Sequence, residues 1–298
     1  MKTALHSVSY AGVWPGQARL ALPEFLKRAR ELGFDAVMLM AKRPHLSVLD
    51  FGPDERRRLR DLLGELNLKV ACLAGYTDFC LGSERPEIPT REMQILYVRE
   101  LCRMAQDLGS GLVRVFTGYS HANVTHDQAW GWCVEALREC ARFAADSDVT
   151  IGVQNHHDTA VHFESLIDLL EEINRPNCRA MFDAWAPALQ GTDIVAAAKR
   201  LAPWTVHTTV ADYVKRPRFA YAPSLVNYAP VLDAVRAVPM GEGFIDYHGF
   251  FRALFDAGYS GYVAYEMCSP LRGGGGEENL DRCARGFLQY MRQFEEAR

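Results

Sequence analysis

A chain of 298 residues is longer than most single domains, yet α/β barrels of about 250 residues are routinely one domain, so one domain over 1–298 with one large core is expected. Apolar residues make up 49% and charged residues 23%, which excludes a largely disordered chain, and the formal net charge of −4 argues against nucleic acid or an anionic membrane as partner. No run approaches the ~20 apolar residues of a membrane-spanning helix, and the start Met1-Lys2-Thr3-Ala4-Leu5-His6 lacks a long apolar signal segment, so a cytoplasmic protein acting on a small molecule is expected.

Along the chain, short apolar runs rich in β-branched residues alternate with longer stretches of helical period, the grammar of βα units and a parallel sheet. The predicted strands are 4–8, 36–40, 69–73, 112–116, 150–154, 180–183, 205–209 and 262–266. The helices that follow them are predicted at 22–32, 54–66, 91–108, 126–147, 163–173, 192–200, 247–257 and 277–296. Pro23 and Pro53 suit first helical turns, whereas Gly33 and Gly258 suit the stop after a helix. Eight such units predict a single (β/α)8 TIM barrel. The eight cysteines form no CxxC pair and read as reduced, buried thiols. Two connections exceed what a compact barrel needs, 76–89 after the third strand and 211–246 after the seventh; both emerge on the face where barrels build active sites.

Polar residues cluster where the apolar runs stop. The fifth strand ends Gln154-Asn155-His156-His157-Asp158, the sixth ends Asp183-Ala184-Trp185, the seventh carries His207 and Thr209, and the eighth ends Glu266. Carboxylates such as Asp183 and Glu266, joined by a histidine or an amide oxygen, suit a divalent cation, magnesium or manganese first, zinc or cobalt after. Gln154 offers a carbonyl oxygen but no basic group, whereas the imidazole of His156, two residues on, titrates near neutral pH. His157, Lys42, Trp185 and Arg272 are candidate substrate-binding residues on the same rim, together with His6 and Arg114. The run Gly273-Gly274-Gly275-Gly276 before the last helix offers backbone amides to an anion.

The segment Ile151-Gly152-Val153-Gln154-Asn155-His156, Asp183, and the tail from Gly241-Glu242-Gly243-Phe244-Ile245-Asp246 to Glu266 resemble the sugar isomerase/epimerase group of the xylose-isomerase-like superfamily. The resemblance covers nearly the whole chain. It implies a metal held by Glu, Asp, His and Glu at the ends of the fifth to eighth strands. Asp183 and Glu266 match that pattern; Gln154 stands at the first Glu position and Thr209 at the His position, with His207 two residues earlier on the same side of its strand. The expected metal set is therefore Gln154, Asp183, His207 and Glu266, with Glu266 and His156 catalytic. The resemblance implies an enzyme, a metal-dependent sugar or polyol isomerase/epimerase that removes a proton next to a carbonyl. A keto-sugar dehydratase or lyase using the same enolate, and a non-catalytic sugar-binding barrel, are the alternatives. A DNA-repair endonuclease of the same superfamily would need more metal ligands and a basic groove. Homodimers or homotetramers are the assemblies the resemblance implies.

Overall fold

The computed structural model describes residues 2–82, 85 and 87–294. In chain order the elements are β1 (Lys2–His6), α1 (Leu22–Leu32), β2 (Ala36–Met40), α2 (Pro53–Glu65), β3 (Lys69–Ala74), α3 (Thr90–Asp107), β4 (Leu112–Val115), α4 (His126–Ala145) and β5 (Thr150–Gln154). They continue with α5 (Phe163–Ile173), β6 (Cys178–Met181), α6 (Trp185–Leu189), α7 (Ile194–Leu201), β7 (Thr205–Val210), β8 (Asp212–Ala222), β9 (Asn227–Val238), α8 (Tyr247–Asp256), β10 (Tyr262–Tyr265) and α9 (Glu277–Arg292). Eight parallel strands close a barrel in the order β1-β10-β7-β6-β5-β4-β3-β2. This is the expected (β/α)8 fold.

Local chemistry sets the boundaries. Pro23 occupies the first turn of α1, where its missing N–H costs nothing, and Gly33 ends that helix at φ +102°, its N–H donating to the carbonyls of Ala29 and Arg30. Thr125 and Gln128 cap α4 reciprocally.

The two faces of each strand divide the core. Outward side chains such as Val113, Val115, Ile151 and Val153 pack against the helices in the large outer core. Inward positions hold a smaller cluster that includes Ala4, Ala36, Met38, Leu112, Met181 and Ala264. Period two then carries polar groups inward at the strand ends: Leu112 leads to Arg114, Gly152 to Gln154, Met181 to Asp183, His207 to Thr209, and Ala264 to Glu266. Gly152 is required by this packing, since a Cβ there would lie 2.8 Å from Cγ of Met181.

One expectation is corrected. The stretch 211–246, read as a long loop, contains an antiparallel hairpin of β8 and β9, paired from Asp212↔Val238 to Ala222↔Asn227. Its register shifts between Arg216 and Arg218, where Pro217 has no N–H to give the ladder. The sixth predicted helix, 192–200, is α7, and a further short helix, α6, precedes it. Residues 295–296 of the last predicted helix, and Ser83, Glu84 and Pro86 of the first long connection, lie outside the described residues. All eight cysteines are free thiols, and seven are buried.

Candidate active site

A cavity of about 660 Å³ opens at the carboxyl ends of the strands, lined among others by His6, Lys42, Tyr76, Arg114, Gln154, His156, His157 and Glu266. A second space of about 220 Å³ shares His156, Glu266 and Cys268 with it, and adds Asp183, Trp185 and Tyr213. Glu266 and His156 therefore stand on the wall common to both. The connection after β3 forms one side of the larger cavity through Tyr76, Thr77, Asp78 and Leu81. It is tied to α3 by Gln94, whose side chain accepts from the Asp78 N–H and donates to the Asp78 carbonyl, each at 2.6 Å.

At the cavity floor Gln154, from the end of β5, is fully engaged. Its Oε1 accepts from Nη1 of Arg114 at 2.9 Å, and its Nε2 donates to Asp183 Oδ2 at 3.1 Å and to Thr209 Oγ1 at 2.9 Å. Asp183 is held further by the Trp185 N–H, which donates to Oδ1 at 2.8 Å. Asn155 clamps the Asp183 backbone from both sides, accepting its N–H and donating to its carbonyl. The guanidinium of Arg114 lies 3.9 Å from the ring centre of Phe116 and 4.8 Å from that of Tyr76. Among the described residues, the buried Nε and Nη2 atoms of Arg114 find no hydrogen-bond partner, and neither does the indole Nε1 of Trp185.

The two carboxylates resist ionisation. Burial, reinforced by the charge of Asp183 and opposed by Arg114, pushes Glu266 up to about 7. Burial likewise raises Asp183 to about 6 against its hydrogen bonds and Arg114. The histidines move the other way. Burial and the nearby Arg114 bring His156 down to about 4, and burial with His156 and Arg114 brings His157 down to about 3. Both rings are neutral near pH 7. The His157 backbone N–H donates to Nδ1 of His156 at 2.9 Å, which makes Nδ1 an acceptor and leaves the proton of the His156 ring on Nε2. His157 adopts φ +70°, and its ring stacks 3.7 Å from that of Tyr119 and 4.4 Å from that of Phe116.

The expected residues are not all brought together. Lys42, His156, His157 and Trp185 line the cavities with Gln154, Asp183 and Glu266. Arg272 lies outside both and forms an ion pair with Glu242. His207 is completely buried and lines a different cavity, of about 460 Å³, among residues at the amino-terminal ends of the strands such as Lys69, Leu112 and Tyr262. Sequence reasoning named Arg114 only as a rim contact and overlooked Asn155, Tyr76 and Phe116. An arginine at an inward-facing strand position was the available signal.

A divalent cation held as the family pattern implies needs oxygen and imidazole donors that converge on one point. Asp183 and Glu266 supply two carboxylates. The metal-ligating oxygen of Gln154 is instead covered by a guanidinium, the Thr209 hydroxyl receives the Gln154 amide, and His207 belongs to the opposite mouth. Among the described residues no group of three or more His, Cys, Asp or Glu side chains is arranged to hold a metal ion. The side chains present do not fit such a centre, because a fixed positive charge already sits on the oxygen a cation would take.

Residues 26–289 match the family model described as xylose isomerase-like TIM barrel. Among curated proteins the chain is 25% identical to an L-ribulose-5-phosphate 3-epimerase of Salmonella heidelberg (strain SL476), over 82% of each sequence. It is 20% identical to a fructoselysine 3-epimerase of Escherichia coli O157:H7, over 85% of this chain and 87% of the other. The D-psicose 3-epimerase of Clostridium cellulolyticum H10, solved with D-tagatose, superposes with a TM-score of 0.76 at 17% identity, covering 98% of this chain and 99% of that one. These relatives are sugar epimerases. No helix among the described residues is long and apolar enough to cross a membrane.

Proposed function

The chain belongs to the xylose isomerase-like TIM barrel family, and on that premise we propose that it is a sugar or polyol isomerase/epimerase that exchanges a proton on carbon next to a carbonyl. The observation that carries this reading is the position of Glu266 and His156 on the wall shared by the two halves of the cavity, where both can reach one bound molecule. Glu266, poised near neutrality, takes the proton as carboxylate and returns it as acid. His156, neutral with its proton on Nε2, is the second group able to donate to the substrate. Tyr76, Phe116 and Tyr119 give the cavity the aromatic surface that suits the C–H faces of a sugar, and Lys42 and His157 add polar contacts. No step is routed through a metal, since the donor set does not fit one. A second copy of the chain is proposed as its partner.

Solvent-deuterium exchange into a panel of ketopentoses, ketohexoses and their phosphates tests this assignment. Exchange at the carbon beside the carbonyl, without loss of a substituent, is the expected result. Expulsion of a β-substituent would move the protein to the dehydratases or lyases, and saturable binding with no exchange would make it a sugar-binding barrel.

A further inference from the structure

Resting on the proton-exchange reading above, we propose that Arg114 is the resident cation of this site, standing in the place of a divalent metal and receiving the substrate oxygen on which negative charge develops. Arg114 comes from β4, faces into the barrel and is 3% exposed. One of its nitrogens, Nη1, is committed to Oε1 of Gln154. Nε and Nη2, which carry three N–H bonds between them, find no hydrogen-bond acceptor among the described residues although both are buried. Buried donors left unsatisfied are costly, and a guanidinium that lines the cavity with two such nitrogens is a site for an oxygen ligand.

The surrounding side chains fix this arrangement. With Arg114 on one side of Gln154 and the carboxylate of Asp183 and the Thr209 hydroxyl on the other, the amide satisfies both sides in one orientation only, oxygen to the arginine and nitrogen to the acid. Glutamate at 154 would have no N–H for Asp183, so glutamine belongs with the arginine. Phe116 and Tyr76 lie against the guanidinium and hold its plane. The buried cation is offset by Asp183 and Glu266.

The step balances without a further reactant. Glu266 takes the proton from carbon, the C–H electrons form the C=C bond of an enediol(ate), and the carbonyl π electrons move to oxygen, where Nε–H and Nη2–H of Arg114 donate to the growing negative charge. In isomerisation Glu266 returns the proton to the neighbouring carbon; in epimerisation the Nε2 proton of His156 goes to the same carbon from the other face, and exchange with solvent takes the proton from Glu266 and restores that of His156, which closes the cycle.

Two independent measurements decide the proposal. Protein treated with EDTA is titrated with Mn²⁺ and followed by electron paramagnetic resonance. The wild type should show no saturable site at micromolar Mn²⁺, whereas Arg114→Met combined with Gln154→Glu and Thr209→His, its folding checked by circular dichroism, should gain one. In parallel, deuterium exchange should run equally with EDTA or with Mn²⁺. Arg114→Lys should lower its kcat roughly 10²- to 10³-fold, the loss typical of one oxyanion donor, with KM little changed. Arg114→Gly should be partly rescued by added methylguanidinium, a response that a packing role would not give. One tightly bound Mn²⁺ per wild-type chain, or exchange lost in EDTA and recovered with Mn²⁺, overturns the assignment of Arg114 and leaves proton exchange standing. Lack of exchange with every sugar removes the enzymatic reading, and the Mn²⁺ titration still decides whether Arg114 has replaced a metal.

Discussion

At the scale of single residues the site is a set of groups kept away from their ordinary charge states. Glu266 owes its position near 7 first to burial and then to the charge of Asp183. If the carboxylate form of Glu266 is the base, the rate of deuterium exchange should rise with pH through about 7 and level off above it. Asp183→Asn removes the like charge, so the rising limb should move to lower pH; a limb that stays in place would mean that burial alone sets it. Glu266→Gln keeps the size of the side chain and removes the proton acceptor, and should lower exchange by roughly 10²- to 10⁴-fold. Turnover unchanged in that variant would show that another group moves the proton.

At the scale of elements, the barrel was legible because apolar runs end where polar side chains begin: β2 (Ala36–Met40) and β5 (Thr150–Gln154) fall on their expected residues. Period two also told which strand residues face inward, but not how deep they lie, because depth depends on the stagger of strands around the barrel. That is why His207, on the same side as Thr209, lies buried toward the other mouth. The Arg114–Gln154 pair joins residues 40 apart in sequence, and no local pattern announces it. The hairpin was hidden because Pro217, Pro223 and Pro230, with Lys215, Arg216 and Arg218 about the first of them, carry the composition of a loop. The family tail, by contrast, acquires a physical reason. Asp212, at the start of β8, accepts the N–H groups of Gly241 and Gly243 at 2.9 and 2.8 Å. A Cβ on Gly243 would overlap that carboxylate and the Tyr213 carbonyl. Gly243→Ala should therefore destabilise the fold by about 1–3 kcal/mol, as overpacking does, and be visible as a lowered Tm, whereas Gly286→Ala, with nothing within 4 Å of its Cβ, should not.

At the scale of the whole molecule, site and surface each leave a signature. The folded chain holds protons on Glu266 and Asp183 up to about 7 and 6, while the unfolded chain releases them near 4.5 and 3.8. Their contribution to stability is fully present below those lower values and is lost as pH rises to about 7, by roughly 1 kcal/mol per pH unit for each group. Glu266→Gln should thus gain stability over the wild type between pH 5 and 8, measurable by thermal unfolding at the two pH values. The hairpin argues for self-association. Beyond its buried base it exposes Phe219, Tyr221, Leu225, Tyr228 and Leu232, and a two-stranded ribbon by itself is marginal in water. It carries Lys215, Arg216, Arg218 and Arg236 against Asp233, although the chain as a whole is at −4, so the remaining surface is the acidic partner it fits. A second copy offers that surface at equal concentration. Light scattering should give a mass of at least two chains, and replacing residues 217–233 by a short Gly/Ser turn should give a single chain with the circular dichroism of an intact barrel. A full-length protein that stays monomeric even in concentrated solution would leave the exposed strands to some other partner and end the argument for a second copy.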